Sequence, residues 1–286
     1  MTQKIKLWVV ALRLKEVALL VGLSLVAYPF AVEKVLLDHW QTLIQLYVGL
    51  CCFVAGVFAL NNYSGYRHDK QNKRFTVKRG ISSKNYFYFF LFGATAAIGI
   101  FYWLNASLFR LSLVVLFLWV IYYLPKYGLK YFPVTGLMVH LVAQIFQFQM
   151  GWVVFADLSV KSLAVSGYFA LLWGAAYLNH ELVDYEADKA AGVKTSAVKF
   201  GPKMVSGLSF TFFVIAHIFL LSLVKQGVLL SFEAMPFIVA FLLHIIVLAV
   251  FYLKNNLLSK AILYRNIYRS LYALATVALV IIKLKL

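Results

Sequence analysis

Residues 162–180 read SLAVSGYFALLWGAAYLNH and run without a break into ELVDYEADK at 181–189. The first stretch is long enough to cross a bilayer as a helix, because a hydrocarbon core of about 30 Å takes about 20 mostly apolar residues. The second holds Glu181, Asp184, Glu186 and Asp188, four of only ten acidic residues in the chain. On a helix, at about 100° per residue, Glu181, Asp184 and Asp188 fall within about 60° of one another, while Glu186 points well away. Like charges three and four residues apart repel, and a helix C-terminus is already partly negative. Three carboxylates on one face are therefore unfavourable unless a cation joins them, and a divalent metal is the simplest such cation.

The same apolar character extends over the whole chain. Of its 286 residues 63% are hydrophobic and 13% charged, against roughly 45–50% and about 25% in soluble domains. An ordinary water-soluble globule is excluded. The 25 Phe and 18 Tyr exclude a disordered chain as well. Nine windows, near 16–34, 40–62, 85–104, 107–125, 134–156, 162–180, 204–224, 233–253 and 266–283, are each apolar enough to span. All are predicted to be helices, since a lipid-exposed backbone must satisfy its own hydrogen bonds and no alternating strand pattern occurs. The expected fold is an all-α membrane protein of nine transmembrane helices around a central cavity, a single domain over 1–286. Its basic amphipathic start at 1–15, MTQKIKLWVVALRLK, suits the membrane surface. Cys51 and Cys52 adjoin within an apolar run and make neither a disulfide framework nor a thiolate metal site.

A net charge of +17 would point to nucleic acid in a soluble protein. Here membrane topology explains it, because Lys and Arg accumulate on the cytoplasmic side of polytopic proteins. With the N-terminus inside, only Lys34, Arg110, Lys161, Lys225, Lys283 and Lys285 fall on the outer side, out of 27 Lys and Arg. The chain is thus expected to be a multi-pass integral membrane protein, in the cell inner membrane if its source is bacterial, with its N-terminus and acidic segments in the cytoplasm and no nucleic-acid partner.

An echo of the acidic segment lies at the inner end of the second window, where Tyr66-Arg67-His68-Asp69-Lys70 parallels Tyr185-Glu186-Ala187-Asp188-Lys189. At the same offset Asn62 matches Glu181 and Gly65 matches Asp184. This suggests a duplicated four-helix module with a ninth helix added. The surrounding segments are basic, with Arg67, Lys70, Lys73, Arg74, Lys78, Arg79 and Lys84 after the first and Lys189, Lys194 and Lys199 after the second. Acidic faces beside basic loops suit Mg²⁺ and phosphate, since Mg²⁺ is usually held by one or two carboxylates plus phosphate oxygens. The plainer reading is that these acids only neutralise positive-inside loops.

Asn61-Asn62-x-x-Gly65-x-x-x-Asp69 resembles the Asn-Asp-x-x-Asp-x-x-x-Asp motif of the UbiA superfamily of intramembrane prenyltransferases. Asp184-x-x-x-Asp188, continuing as Lys189-Ala-Ala-Gly-Val-Lys194-Thr, resembles its second motif, and Tyr122-x-x-x-Lys126 its Tyr-x-x-x-Lys element; Gly80-Ile81-Ser82 is similar to the end of its first loop. The resemblance covers the whole chain. It implies that two aspartate motifs face each other over a central cavity, hold a polyprenyl diphosphate through Mg²⁺ and promote loss of diphosphate, after which a lipophilic, often aromatic acceptor attacks the carbocation. Carried over by position, Asp69, Asp184 and Asp188 would be catalytic metal ligands. Asn62 and Glu181 would complete the metal set, and Asn61, Arg67, Lys70, Tyr122, Lys126, Lys189 and Lys194 would bind substrate.

The chain departs from that pattern at Asn62 and Gly65, which replace two carboxylates of the first motif. Other readings therefore stay open: a UbiA-like terpene cyclase, a phosphoribosyl-type transferase, or a non-catalytic transporter or lipid-binding relative. Transporters usually place ionisable groups near the midplane on interrupted helices, whereas these acids lie at helix ends. His140, Gln144, Gln147 and Gln149 lie along the fifth window, the first three on one stripe, and either line an acceptor pocket or join neighbouring helices by hydrogen bonds.

Overall fold

The computed structural model describes residues 12, 16–17, 20–71, 81–125, 127–190, 192–253 and 257–286, and of residues 37 and 67–71 the backbone alone. The regular structure it describes is helical. The helices are α1 Gly22–Ala31, α2 Trp40–Gln71, α3 Ser83–Leu104, α4 Ala106–Tyr123, α5 Pro133–Trp152, α6 Val160–Ala190, the short α7 Ser196–Phe200, α8 Pro202–Lys225, α9 Ser231–Leu253 and α10 Ala261–Lys285.

Local chemistry sets their ends. Asn105 divides two apolar runs and starts the second: its Oδ1 accepts from the backbone N–H of Ser107 at 2.7 Å and of Leu108 at 3.0 Å. Its Nδ2 donates to the Val153 carbonyl at 3.1 Å, fastening the α3–α4 corner to the end of α5. Ser82 caps α3 in the same way through Asn85. Pro133 and Pro202 open α5 and α8, where a missing N–H costs nothing.

Each of the nine predicted windows falls on a helix, while α7 was not foreseen because its five residues carry no spanning signal. Two boundaries move: the helices predicted over 40–62 and 162–180 run on to Gln71 and Ala190, at 32 and 31 residues. At 1.5 Å per residue each is about 45–48 Å long, well beyond a hydrocarbon core of about 30 Å. The acidic segments therefore ride on rigid helical extensions rather than in loops.

Among the described residues six helices (α2, α3, α4, α8, α9 and α10) are long and apolar enough to cross a membrane. The expected nine crossings exceed what length and composition establish, for a physical reason. α5 and α6 bury Gln144, Gln147, Gln149, Asn179 and Glu181, polar groups that face the protein interior and dilute their hydropathy. α1 has ten described residues. The surface segment expected at 1–15 lies outside the described residues except for Leu12.

Two of four apolar clusters make up most of the core. One joins Phe53 of α2, Phe101 of α3 and Trp119 of α4 to Ala143 and Met150 of α5. The other joins Phe148 and Trp152 of α5 to Tyr168 of α6, Phe213 of α8, Phe237 of α9 and Tyr268 of α10, with Phe30 of α1. α5 thus serves both, and the halves meet along it. Where α2 and α3 cross, a Cβ added to Gly93 would lie 2.8 Å from the Cys52 carbonyl oxygen and 3.1 Å from Gly56 Cα, so only glycine permits that approach. Outward residues such as Phe92, Trp103, Leu242 and Ile246 are exposed, an apolar surface suited to lipid.

The helix ends remote from the acidic extensions are tied by a buried ion cluster. Glu233, at the start of α9, accepts at Oε1 from Lys283 Nζ at 2.7 Å and Lys161 Nζ at 3.0 Å. Its Oε2 accepts from the Leu230 N–H at 3.0 Å, and Lys283 Nζ also donates to the Val32 carbonyl at 2.8 Å. The ends of α1, α6, α9 and α10 are thereby held together. Removing one partner of such a cluster leaves uncompensated buried charge, so Glu233→Ala should destabilise by about 3–5 kcal/mol. A clear fall in the thermal unfolding midpoint of the detergent-solubilised protein is expected, and an unchanged midpoint would show the cluster to be idle.

Candidate active site

α2 and α6 both line a cavity of about 150 Å³ between the two halves. Val54, Val57, Phe58 and Asn61 come from α2, and Trp173, Ala176, Tyr177 and His180 from α6. Helical spacing carries the first stripe on to positions 65 and 69 and the second to 184 and 188. The motif positions thus continue the helix faces that line the cavity. Trp119 and Tyr123 of α4, and Arg265 and Arg269 of α10, complete the enclosure.

His140, Gln144 and Gln147 also line the cavity, as the acceptor-pocket reading expects. Gln144 Nε2 lies 3.4 Å from His140 Nδ1, and its Oε1 is buried without a hydrogen-bond partner, an acceptor facing a polar wall. Gln149 follows the other reading and donates to Ser166 Oγ of α6 at 3.1 Å.

The expected carboxylate trio does not stay together. Glu181 is 6% exposed and turns to α7: Oε1 accepts from Ser196 Oγ at 3.3 Å and Oε2 from the Ala197 N–H at 3.0 Å. The free N–H groups of a helix start attract a carboxylate, and α7 supplies them. Burial pushes the Glu181 carboxyl above the usual carboxylate range, opposed by hydrogen bonds from Tyr177, Ala197 and Ser196. Asp184 and Asp188 remain half-buried on the stripe, with Glu186 exposed on the far side, as the angular spacing predicts. Asp184 Oδ2 lies 3.8 Å from His180 Nδ1, to which Arg265 Nη1 donates at 3.3 Å. Among the described residues no three His, Cys, Asp or Glu side chains converge as a metal cluster.

The remaining expected residues divide. Asn61 lies on the cavity wall and its Oδ1 accepts from Lys130 Nζ at 3.4 Å; Asn62 is buried beside it. Tyr122 is buried behind the wall and donates to Tyr177 Oη at 3.4 Å, leaving Tyr123 to face the cavity. Tyr177 in turn hydrogen-bonds Glu181, so the Tyr-x-x-x-Lys segment is braced against α6. Lys189 and Lys194 are exposed, Lys189 Nζ lying 5.7 Å from the Tyr185 ring centroid. Lys126 and the side chains of Arg67, Asp69 and Lys70 lie outside the described residues. Sequence reasoning missed Lys130, Arg265 and Arg269, counting all three as positive-inside charges. An arginine pair four residues apart within a span was the available signal, because such groups are costly in a membrane without a role.

Mg²⁺ fits the second segment, where Asp184 and Asp188 stand one turn apart and half-buried, two carboxylates to be joined by phosphate oxygens. The first segment fits it poorly, offering amides at Asn61 and Asn62 and no side chain at Gly65.

The family model of the UbiA prenyltransferase family matches residues 17–279. The chain belongs to that family. The fold agrees: a UbiA homologue from Archaeoglobus fulgidus bound to DMAPP and Mg²⁺ superposes with a TM-score of 0.69 at 18% identity, over 96% of this chain and 98% of that one. The apo UbiA homologue from Aeropyrum pernix K1 gives 0.74 at 16% identity, over 94% and 98%. A digeranylgeranylglyceryl phosphate synthase structure gives 0.70 at 14% identity, over the full length of both chains. No curated protein matches the chain at a significant level. In this UbiA family member, Glu181 holds the segment that follows the second motif. Glu181→Ala should release residues 192–200, read as faster tryptic cleavage after Lys194 and Lys199; unchanged cleavage would remove Glu181 from that role.

Proposed function

We propose that the protein is a Mg²⁺-dependent intramembrane prenyltransferase that moves a polyprenyl group from its diphosphate to a lipophilic acceptor. One observation carries this reading: the cavity lined by Phe58, Trp119, Tyr123 and Trp173 is lined as well by Asn61 of the first motif and by His180, one helical turn before Asp184. Family membership supports it, as do the relatives described with DMAPP or GPP and Mg²⁺. The same reading takes α1 to α6 and α8 to α10 as nine crossings, with the acidic extensions in the cytoplasm beside most of the basic residues.

In this reading Asp184 and Asp188 would hold Mg²⁺, whose charge would offset that of the leaving diphosphate. Lys189 and Lys194, with Arg67, Lys70 and Lys126, take up the remaining phosphate charge, and Asp69 adds the carboxylate left in the first motif. The allylic C–O bond breaks with its electron pair on oxygen, leaving positive charge on carbon. Phe58, Trp119, Tyr123 and Trp173 present ring faces to that carbon and exclude water. The Gln144 amide and His140 orient the acceptor, whose attack forms the new bond and releases a proton. Tyr122 acts indirectly, through Tyr177, by fixing the wall that Tyr123 lines.

Membranes supplied with Mg²⁺, a panel of prenyl diphosphates and a panel of acceptors should release pyrophosphate and form a prenylated product identifiable by mass spectrometry. Asp184→Asn and Asp188→Asn should each lower release by at least about 10²-fold, the scale of losing one preorganised electrostatic partner, while exposed Glu186→Gln stays near the parent rate. Undiminished release in both variants rejects the reading. An acceptor-free hydrocarbon product would instead identify a cyclase.

A further inference from the structure

The cavity has a far end, and its place along the helices limits the tail it can take. α5 starts beside Asn61, whose Oδ1 lies 3.4 Å from Lys130 Nζ just before that helix. It then passes α6 in the opposite sense: the His140 ring lies 4.7 Å from that of Tyr177, and farther on Phe148 stacks on Phe169 at 5.4 Å. Asn61, His140 and Tyr177 thus share one end of the cavity. Among the described residues, the lining runs on α2 from Asn61 to Phe53 and on α5 from His140 to Gln147. At about 1.5 Å per residue these stretches are about 12 Å and about 10 Å long.

Past that level the helices close on one another. Ser24 Oγ of α1 donates to the Gln147 carbonyl at 2.7 Å, and a Cβ on Gly151 would run into the Ser24 carbonyl, so α1 and α5 meet through backbone there. Phe169, one turn back along α6 from the lining residue Trp173, is packed against Phe148 and, at 5.8 Å, against Phe30. Phe53 is 2% exposed, with its ring 6.1 Å from that of Phe101 on α3. The depth is short for a prenyl chain. An extended isoprene unit, four carbon–carbon bonds in line, is about 5 Å long. Two units therefore fill the length, and a third meets Phe53 and Gln147. Volume agrees, since an apolar cavity of about 150 Å³ is the size that takes benzene.

We propose that the donor is a short-chain allylic diphosphate of one or two isoprene units, C5 or C10, and that Phe53 sets the upper limit. This rests on the prenyltransferase reading, which by itself leaves the chain length open. With the diphosphate at Asp184 and Asp188, the first isoprene unit lies at the level of Asn61 and His140, and the second ends on the Phe53 ring.

Allylic S-thiolodiphosphates, in which sulfur replaces the bridging oxygen and ionisation is slowed, test this without turnover. The purified full-length protein in detergent with Mg²⁺ is titrated calorimetrically, against detergent blanks, with the C5, C10, C15 and C20 analogues and with inorganic pyrophosphate. Affinity should rise at least about 10-fold from C5 to C10 as more carbon is buried, then fall about 10-fold from C10 to C15 as the tail overfills the site. Phe53→Ala removes the ring at the far end and should bring C15 up to the parent affinity for C10. Should that variant misfold, Phe53→Leu, which shortens the side chain less, is expected to recover part of the C15 affinity. C15 and C20 binding as tightly as C10 in the parent protein would overturn the inference and leave the prenyltransferase reading intact. If no analogue binds more tightly than inorganic pyrophosphate, that reading falls and the inference with it. A folded Phe53 variant that still rejects C15 takes the length limit away from Phe53.

Discussion

A charge facing the interior of a membrane protein needs a counter-charge or a set of hydrogen bonds, because the surroundings offer too little water to solvate it. That constraint organises this chain more than any packing detail. At one end Glu233 is matched by Lys161 and Lys283, and the match ties four helix ends together. At the other end Glu181 is matched by the start of α7, and Asp184 lies beside His180, which Arg265 contacts. The two ends use the constraint differently. The Glu233 cluster is closed, each oxygen being filled by the protein itself. Asp184 and Asp188 are half-buried on helical extensions, a setting in which a metal and a phosphate can be added.

The length of α2 and α6 turns this into a site. A loop carrying the same acids would have to be ordered at an entropic cost each time it bound a ligand. A helix that continues for two or three turns past the hydrocarbon core presents them at fixed spacing, continuous with the cavity stripe beneath. Tyr177, His180, Asp184 and Asp188 follow one line along α6, and the first two line the cavity.

Much of this was legible in the sequence because it is periodic. Apolar windows located the helices, the 100° step separated Glu186 from Asp184 and Asp188, and the His140, Gln144, Gln147 stripe pointed to the cavity. Periodicity states which face a residue occupies and says nothing about what packs against it. Glu181 lies on the predicted face yet serves α7, a five-residue helix with no apolar signature of its own. Lys130 was hidden for the same reason, since its contact with Asn61 spans 69 positions of chain. Arg265 and Arg269 reach the cavity from α10, near the far end of the sequence, and only the closed fold puts them opposite α2 and α6.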